Sequence, residues 1–219
     1  MNNLSSTIVR TVVAAATLLV AAAAAHAEGN VEAGRQKAEM CIGCHGIPGY
    51  QNSFPEVHKV PKISGQSDKY IVAALAAYKK GDRKHPTMRG IAGSLTDEDM
   101  ADLAAFYAAQ AESTAAEAPK APSEAVKALL DKGACASCHG ANFSKPIDPS
   151  YPKLSGQHAD YLYVAFKSYT VDGNRYVGRA NGIMAGIAKQ FNHNEMRELS
   201  QYLSTLETEL RTVPQSRFR

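Results

Sequence analysis

The residues most able to do chemistry in this chain are four cysteines, which form two pairs that are each followed by a histidine. The first group is Cys41-Ile42-Gly43-Cys44-His45 and the second is Cys135-Ala136-Ser137-Cys138-His139. Two thiols three positions apart on a helical turn lie on one face. There they can form thioethers with the two vinyl groups of one haem, and the histidine that follows can be held under the iron as its proximal ligand. The pattern therefore predicts two covalently attached haem c groups.

A Cys-x-x-Cys pair can also be a dithiol redox centre or half of a zinc site. Zinc ribbons place their two pairs about 15 to 20 residues apart, whereas here the pairs begin at 41 and 135. A thioredoxin-like motif needs a βαβ pattern, which the sequence does not show. All four cysteines lie within the two motifs. Haem attachment is therefore the favoured interpretation, with metal or disulfide chemistry as the alternatives.

Residues 1–27 resemble an export signal more than a part of the fold. Arg10 supplies a positive charge, Thr11 to Ala25 is an uncharged apolar run, and Ala25-His26-Ala27 fits a cleavage site. We therefore expect a cleaved signal peptide, a mature chain that begins at Glu28 and a periplasmic location, with an uncleaved membrane anchor as the alternative. The formal net charge of +3 is too small to indicate nucleic-acid binding.

The rest of the chain contains an internal repeat. The segment Pro61-Lys62-Ile63-Ser64-Gly65-Gln66 returns as Pro152-Lys153-Leu154-Ser155-Gly156-Gln157, and Met88-Arg89-Gly90-Ile91-Ala92 returns as Met184-Ala185-Gly186-Ile187-Ala188. The order of the blocks is the same in both halves, and a stretch rich in Ala, Glu and Pro separates them. The predicted organisation is a signal peptide (1–27), a first domain (28–112), a linker (113–122) and a second domain (123–219).

Helix signals dominate both halves and strand signals are weak, which indicates an all-α fold. Each half is too short to bury a large core alone, so a covalent haem would supply the missing apolar centre. Caps and periodicity predict three helices per half. The expected boundaries are Asn30 to Met40, Asp68 to Lys80 and a start at Thr96 in the first half, and Ser123 to Lys132, Asp160 to Thr170 and a start near Asn192 in the second.

A proximal histidine leaves one iron position open, and the group that fills it separates an electron carrier from an enzyme. Methionines are matched between the repeats at Met88 and Met184, and again at Met100 and Met196. The second pair falls inside the third helix, where core packing is the expected role. The first pair lies in stretches that contain proline and glycine and that we interpret as loops able to pass over a haem. Met88 and Met184 are therefore the predicted axial ligands.

Several further residues are candidates for the surroundings of the haems. Because a ligating imidazole usually donates its other N–H, we expect the Pro61 and Pro152 carbonyls to accept hydrogen bonds from the motif histidines. Forked arginine donors suit carboxylates, so Arg83 and Arg175 are either partners of haem propionates or solvated surface groups. Four histidines without a match in the other repeat are expected to be surface or structural residues, with His85 the competing axial ligand: His58, His85, His158 and His193.

Together these residues resemble the dihaem cytochrome c4 family, in which two class I cytochrome c domains lie in tandem. Each half carries Cys-x-x-Cys-His, Pro-Lys-x-x-Gly-Gln and a late methionine, so the resemblance covers the whole mature chain. It implies two domains that face each other across a pseudo-twofold axis, each wrapped around a haem c with His/Met axial ligation. The implied cofactor-binding residues are Cys41, Cys44, His45 and Met88 for one haem and Cys135, Cys138, His139 and Met184 for the other, the histidines and methionines being the iron ligands.

The resemblance also implies a function. It indicates a periplasmic electron carrier of a respiratory chain that donates to a terminal oxidase and has no catalytic residues. Its partners would be redox proteins, namely an oxidase, other cytochromes or a dehydrogenase, without nucleic acid, and peripheral association with a membrane is left open. The alternative is a dihaem subunit of a dehydrogenase complex such as flavocytochrome c sulfide dehydrogenase. An enzyme of the related thiosulfate-oxidising type is disfavoured, because such enzymes use a cysteine iron ligand and no spare cysteine exists here.

Overall fold

The computed structural model describes residues 29–112 and 120–214. The predicted signal peptide, Glu28 and most of the predicted linker lie outside the described residues. The first half forms α1 (Val31–Lys37), α2 (Glu39–His45), β1 (Gln51–Asn52), β2 (His58–Lys59), α3 (Asp68–Lys80), β3 (Arg83–Lys84), α4 (Pro86–Gly93) and α5 (Asp97–Ala108). The second half forms α6 (Glu124–Lys132), α7 (Cys135–His139), α8 (Ala159–Ser168), β4 (Gly178–Arg179), α9 (Gly182–Ala188) and α10 (His193–Ser204). The predicted all-α class is confirmed.

Side-chain caps determine where the two long C-terminal helices of the halves begin. At α5 the Thr96 hydroxyl accepts from the Asp99 N–H while the Asp99 carboxylate accepts from the Thr96 N–H, which is a capping box. Asn192 and Glu195 make the same pair of bonds at α10. At the end of α3, Gly81 adopts a left-handed conformation with φ of 92°, which glycine allows without steric cost. These three predicted boundaries are confirmed.

Two predictions about local structure are wrong. The helix expected to reach Met40 is interrupted at Ala38, and α2 then continues through the whole of the first haem motif. Met88 and Met184 lie in the short helices α4 and α9 instead of in loops. Pro86 stands in the first turn of α4, where its missing N–H removes no helical hydrogen bond. A residue that indicates a loop in the sequence therefore opens a helix.

Among the described residues, the first half has one buried apolar cluster and the second half has two, and the last long helix of each half contributes to every cluster of that half. Met100 and Leu103 of α5 and Met196 and Leu199 of α10 are all buried. The exposed fractions of Met100 and Met196 are only 2% and 1%, so the core-packing role predicted for them is confirmed. Within the described residues, no helix is both long enough and apolar enough to cross a membrane.

Two buried glutamines join the halves through reciprocal hydrogen bonds. The Gln66 side chain accepts from the Lys153 N–H at 3.0 Å and donates to the Lys153 carbonyl at 3.1 Å. Gln157 makes the same two bonds to the backbone of Lys62, at 2.9 Å and 2.8 Å. Because the glutamines are repeat equivalents, and the lysines likewise, these contacts are related by a pseudo-twofold axis.

A second link between the halves is a short antiparallel sheet. Strands β3 and β4 pair so that Arg83 is opposite Arg179 and Lys84 is opposite Gly178. The Ala180 N–H extends the pairing by donating to the Asp82 carbonyl at 2.7 Å. The main chains of the two halves are therefore hydrogen-bonded directly to each other.

A third link is the segment 207–211, which follows α10 and returns to the first half. The Arg211 N–H donates to the Ser64 carbonyl at 3.0 Å. The Glu209 carboxylate forms an ion pair with Lys153 of its own half, whose ammonium donates to the Gly65 carbonyl of the first half at 2.8 Å. The Glu209 carbonyl lies so close to Gly65 that a Cβ placed on this glycine would be 2.1 Å from it. The C-terminal segment of the second half is thus packed tightly against the first half.

Candidate haem-binding sites

The two motif histidines are oriented by hydrogen bonds to proline carbonyls. Nδ1 of His45 lies 2.9 Å from the Pro61 carbonyl oxygen, and Nδ1 of His139 lies 3.1 Å from that of Pro152. A carbonyl can only accept, so Nδ1 carries the proton and Nε2 is the nitrogen left to bind a metal. Burial lowers the pKa of both histidines, which favours the neutral ring that ligation requires. The predicted proline partners are confirmed.

The four cysteines are free, half-buried thiols. Cys41 and Cys44 lie on α2, and Cys135 and Cys138 lie on α7. Burial is the main cause that raises the pKa of Cys41 and of Cys135. The helical conformation of both motifs brings the two thiols of each pair to one side of the helix, as thioether attachment to one haem requires.

A cavity of about 340 Å³ is lined mainly by the first half, and second-half residues such as Tyr161 and Arg179 complete its wall. Its wall brings together four residues singled out from the sequence, Cys41, Cys44, His45 and Met88. Tyr107 is also part of the wall, and its buried hydroxyl has no hydrogen-bond partner among the described residues. Two thiols, an oriented imidazole and a thioether around one largely apolar cavity fit a haem c group.

Met88 and Met184 occupy the same position in two equivalent helices. Each is the third residue of its helix, and its N–H donates to a capping side chain three residues before it. The acceptor is Nδ1 of His85 at 3.4 Å for Met88, and Oδ1 of Asn181 at 2.9 Å for Met184. Burial is the main cause that lowers the pKa of His85 to about 4, so its ring is neutral at pH 7 and can accept. His85 therefore has the structural role of a helix cap, with Asn181 as its counterpart.

The other unmatched histidines also occupy structural positions. His58 is buried, and its ring lies edge-to-face against those of His85 and Tyr161, with centroids 6.1 Å and 5.7 Å away. His193 is the first residue of α10, and its Nδ1 lies 3.4 Å from the Tyr163 hydroxyl. The positions of His58 and His193 agree with the surface or structural role expected of the unmatched histidines.

Each half also contains an arginine held by a tyrosine. Nη1 of Arg83 donates to the Tyr70 hydroxyl at 3.2 Å, and Nη2 of Arg179 donates to the Tyr161 hydroxyl at 3.1 Å. Tyr70 and Tyr161 are repeat equivalents, and Arg83 and Arg179 are opposite each other in the β3–β4 sheet. The counterpart of Arg83 is therefore Arg179.

Arg175 was expected to be either a propionate partner or a solvated surface group, and its exposure agrees with the surface role, whereas Arg179 was not among the expected residues. Arg175 is exposed, and its guanidinium lies 5.6 Å from the centre of the Tyr176 ring. Arg175 was suggested because Gly173-Asn174-Arg175 matches Gly81-Asp82-Arg83, but the sequence also contains a signal for Arg179. Arg179 follows Arg83 by 96 positions, the same offset that relates Met88 and Met184.

Comparisons with known proteins follow the same division into halves. The family model for cytochrome c matches the chain twice, over residues 31–109 and 123–207. The cytochrome c4 of Thiocapsa roseopersicina is 35% identical over 199 residues, which cover 84% of this chain and 96% of that protein. The thiosulfate dehydrogenase electron acceptor of Thiomonas intermedia is 29% identical over 177 residues, covering 77% of this chain and 79% of that protein. The structure of reduced recombinant cytochrome c4 from Pseudomonas stutzeri superimposes with a TM-score of 0.60 and 27% identity, over 82% of this chain and 100% of that chain.

Proposed function

The chain belongs to the cytochrome c4 family, and from this we propose that it is a periplasmic carrier that donates electrons to a terminal oxidase of a respiratory chain. Membership makes it an electron-transfer protein and not an enzyme. It carries two haem c groups, one at the Cys41/Cys44 motif and one at the Cys135/Cys138 motif. The haem iron supplies a one-electron couple.

We propose that His45 and Met88 ligate one iron, and His139 and Met184 the other. This proposal rests on the cavity of about 340 Å³ described above, whose wall contains both His45 and Met88. The equivalent caps of α4 and α9 support the same role for Met184. Two protein ligands on each iron leave no position for a substrate, and a methionine ligand raises the reduction potential. Both properties suit a carrier at the oxidising end of a chain.

The electron acceptor can be tested with respiratory membranes. The purified protein would be reduced, freed of reductant and added to membranes of the source organism as the only electron donor. We expect oxygen uptake that is proportional to the added protein and abolished by cyanide. Membranes that take up oxygen with an artificial donor but leave the reduced protein unoxidised would contradict the terminal-oxidase proposal.

The proposed location depends on the export signal. Cleavage after Ala27 predicts that N-terminal sequencing of protein from the periplasmic fraction begins at Glu28. A chain that keeps Thr11 to Ala25 and sediments with membranes would instead support the uncleaved anchor.

A second candidate function is that of the electron acceptor of a dehydrogenase. It is favoured by the similarity to the thiosulfate dehydrogenase electron acceptor of Thiomonas intermedia. The oxidised protein would be mixed with a thiosulfate dehydrogenase, with and without thiosulfate, and reduction would be followed in the visible spectrum. Reduction that requires both components supports this function, and co-elution of a catalytic subunit during native purification would support the dehydrogenase-complex alternative.

A further inference from the structure

Two arginines from different halves of the molecule lie side by side. Arg83 and Arg179 are direct partners in the β3–β4 sheet. The Arg83 guanidinium lies 5.1 Å from the centre of the Tyr70 ring, and that of Arg179 lies 5.7 Å from the centre of the Tyr161 ring. With the hydrogen bonds to the same two hydroxyls, these contacts fix both guanidinium groups at the seam between the halves.

The two charges are not neutralised by the protein. Both arginines are half-buried, and neither forms an ion pair with a carboxylate in the part of the chain that the structure describes. Each tyrosine hydroxyl offers its arginine a hydrogen-bond acceptor but not the carboxylate that an ion pair requires. Two neighbouring cations away from bulk water are unfavourable, and an anion between them would remove that cost.

The position of the arginines indicates which anion is available. Both line the first-half cavity that also contains Cys41 and His45, although Arg179 belongs to the second half. A haem c attached at this cavity carries two propionate carboxylates, and the fork of a guanidinium suits a carboxylate. The tyrosine contacts give Arg179 in its own half the position that Arg83 has in the first.

We propose that Arg83 and Arg179 form one anion site, shared by the two halves, that binds haem propionates, so that Arg179 of the second half sets the reduction potential of the first haem as well as that of its own. A cation near a haem favours the reduced state, because reduction adds an electron. Loss of the cation also leaves a propionate charge unpaired, which disfavours reduction further. The proposal rests on the two bound haems and not on the identity of the redox partner.

The test is the midpoint potential of both haems in the holoprotein with Arg179→Gln. We expect both potentials to fall, each by a tenfold change in the reduction equilibrium constant, which is about 59 mV for a one-electron couple. Arg179→Lys keeps the charge and should leave both potentials close to those of the wild type. Arg175→Gln removes the same charge from an exposed neighbour and should change neither potential.

Three results would overturn the proposal. If only one potential falls in Arg179→Gln, the arginine serves its own half alone. If Arg179→Lys lowers the potentials as far as Arg179→Gln does, the cause is altered structure and not lost charge. If Arg175→Gln gives an equal shift, the effect is that of overall charge. Each result leaves the electron-acceptor experiments unaffected, so the two proposals fail separately.

Discussion

At the scale of single residues, one capping side chain fixes the position of each proposed axial methionine in its helix. A capping side chain holds the N–H of Met88 and of Met184 in the first turn of a short helix. A cap of this kind contributes about 0.5–2 kcal/mol to helix stability. The thioether is therefore carried by a defined helical turn on one side of the cavity, while a proline carbonyl fixes the imidazole in the same half.

Replacing Met88 by Ala should leave one iron with an open coordination position. Replacing Met184 by Ala should do the same to the other iron. Each change should remove the share of one haem from the weak far-red charge-transfer absorption of the ferric protein, because that band depends on the thioether ligand. Each reduced variant should also bind one equivalent of carbon monoxide. Absorption spectra with and without carbon monoxide measure both effects.

The matched controls are Met100→Ala and Met196→Ala. Both side chains are buried in the cores of their halves, so these changes should keep the far-red band while lowering the free energy of unfolding by about 2–5 kcal/mol. Rapid binding of a full equivalent of carbon monoxide by the wild type would mean that an iron is open and that the carrier proposal fails at that haem.

A buried carboxylate makes the stability of the first half depend on pH. The Asp102 carboxylate accepts from the Lys37 ammonium at 2.6 Å and from the Asn30 N–H at 2.7 Å. The hydrogen bond from Lys37 is the main cause that lowers the pKa of Asp102. A carboxyl whose pKa is lower in the folded state stabilises the fold above its unfolded pKa of about 3.9, and this contribution is lost as the pH falls through the folded pKa.

Asp102→Asn should therefore lower the free energy of unfolding at pH 7, by about 1–3 kcal/mol. The difference from the wild type should shrink as the pH is lowered below about 3.9, because the unfolded wild type then takes up a proton that the folded carboxylate resists. Urea unfolding at pH 7 and pH 3 measures this. Asp131→Asn, in an exposed pair with Lys127, is the control and should have little effect at either pH. If the difference in the free energy of unfolding between Asp102→Asn and the wild type stays constant with pH, Asp102 is not the source of the pH dependence.

At the scale of secondary-structure elements, the packing of the C-terminal segment against the first half is sensitive to added volume. Gly65 has φ of 81° and faces the Glu209 carbonyl, whereas Gly81 has φ of 92° and faces open space. Alanine is strained at both positions, at a cost of about 1–2 kcal/mol. Only at Gly65 would the methyl group also displace residues 207–211 from the first half.

Gly65→Ala should therefore destabilise the protein by clearly more than Gly81→Ala. Thermal unfolding of the two variants compares the costs directly. Limited proteolysis gives a second measurement, since cleavage within 207–211 should become faster in Gly65→Ala only. Equal melting temperatures and equal cleavage rates would show that this segment is not held by its contact with Gly65.

The sequence predicts local features of this fold well. The capping boxes at Thr96 and Asn192, the stop at Gly81 and the role of the Pro61 carbonyl all depend on residues within a short stretch or on one repeated block. The helices that carry the axial methionines were missed, because Pro86 is as compatible with a first helical turn as with a loop.

Features that arise between the halves could not be predicted from the sequence. The repeat made Gln66 and Gln157 visible as equivalents, but not that each binds the backbone beside the other. The offset of 96 relates Arg179 to Arg83 in the sequence, but only the β3–β4 pairing shows that the two arginines lie opposite each other. Both depend on how the two halves meet, which periodicity and caps within one half do not encode.

On the scale of the whole molecule, the glutamines should control how firmly the halves dock. Each hydrogen bond contributes about 0.5–1.5 kcal/mol, and Gln66→Ala combined with Gln157→Ala removes all four bonds of the reciprocal set. The double variant should unfold over a broader transition and show a larger radius of gyration in solution scattering. The control combines Gln36→Ala with Gln190→Ala, which lie on exposed surfaces. An unchanged radius in the glutamine double variant would contradict this role.

The reciprocal glutamine bonds also mean that each half contributes the same kind of contact surface to the interface. The first half offers both the side chain of Gln66 and the backbone of Lys62, which are the equivalents of what it binds in the second half. In symmetry terms the interface is isologous, the kind found in homodimers with a twofold axis. Because one chain supplies both partners, the association does not depend on protein concentration. The two partners are also free to differ. Both ammonium groups donate to a glycine carbonyl of the other half, Lys62 to Gly156 and Lys153 to Gly65, but of the two lysines only Lys153 has a carboxylate partner among the described residues, Glu209. The two haem-carrying halves are thus arranged like the subunits of a twofold homodimer, but they belong to one chain and differ in sequence.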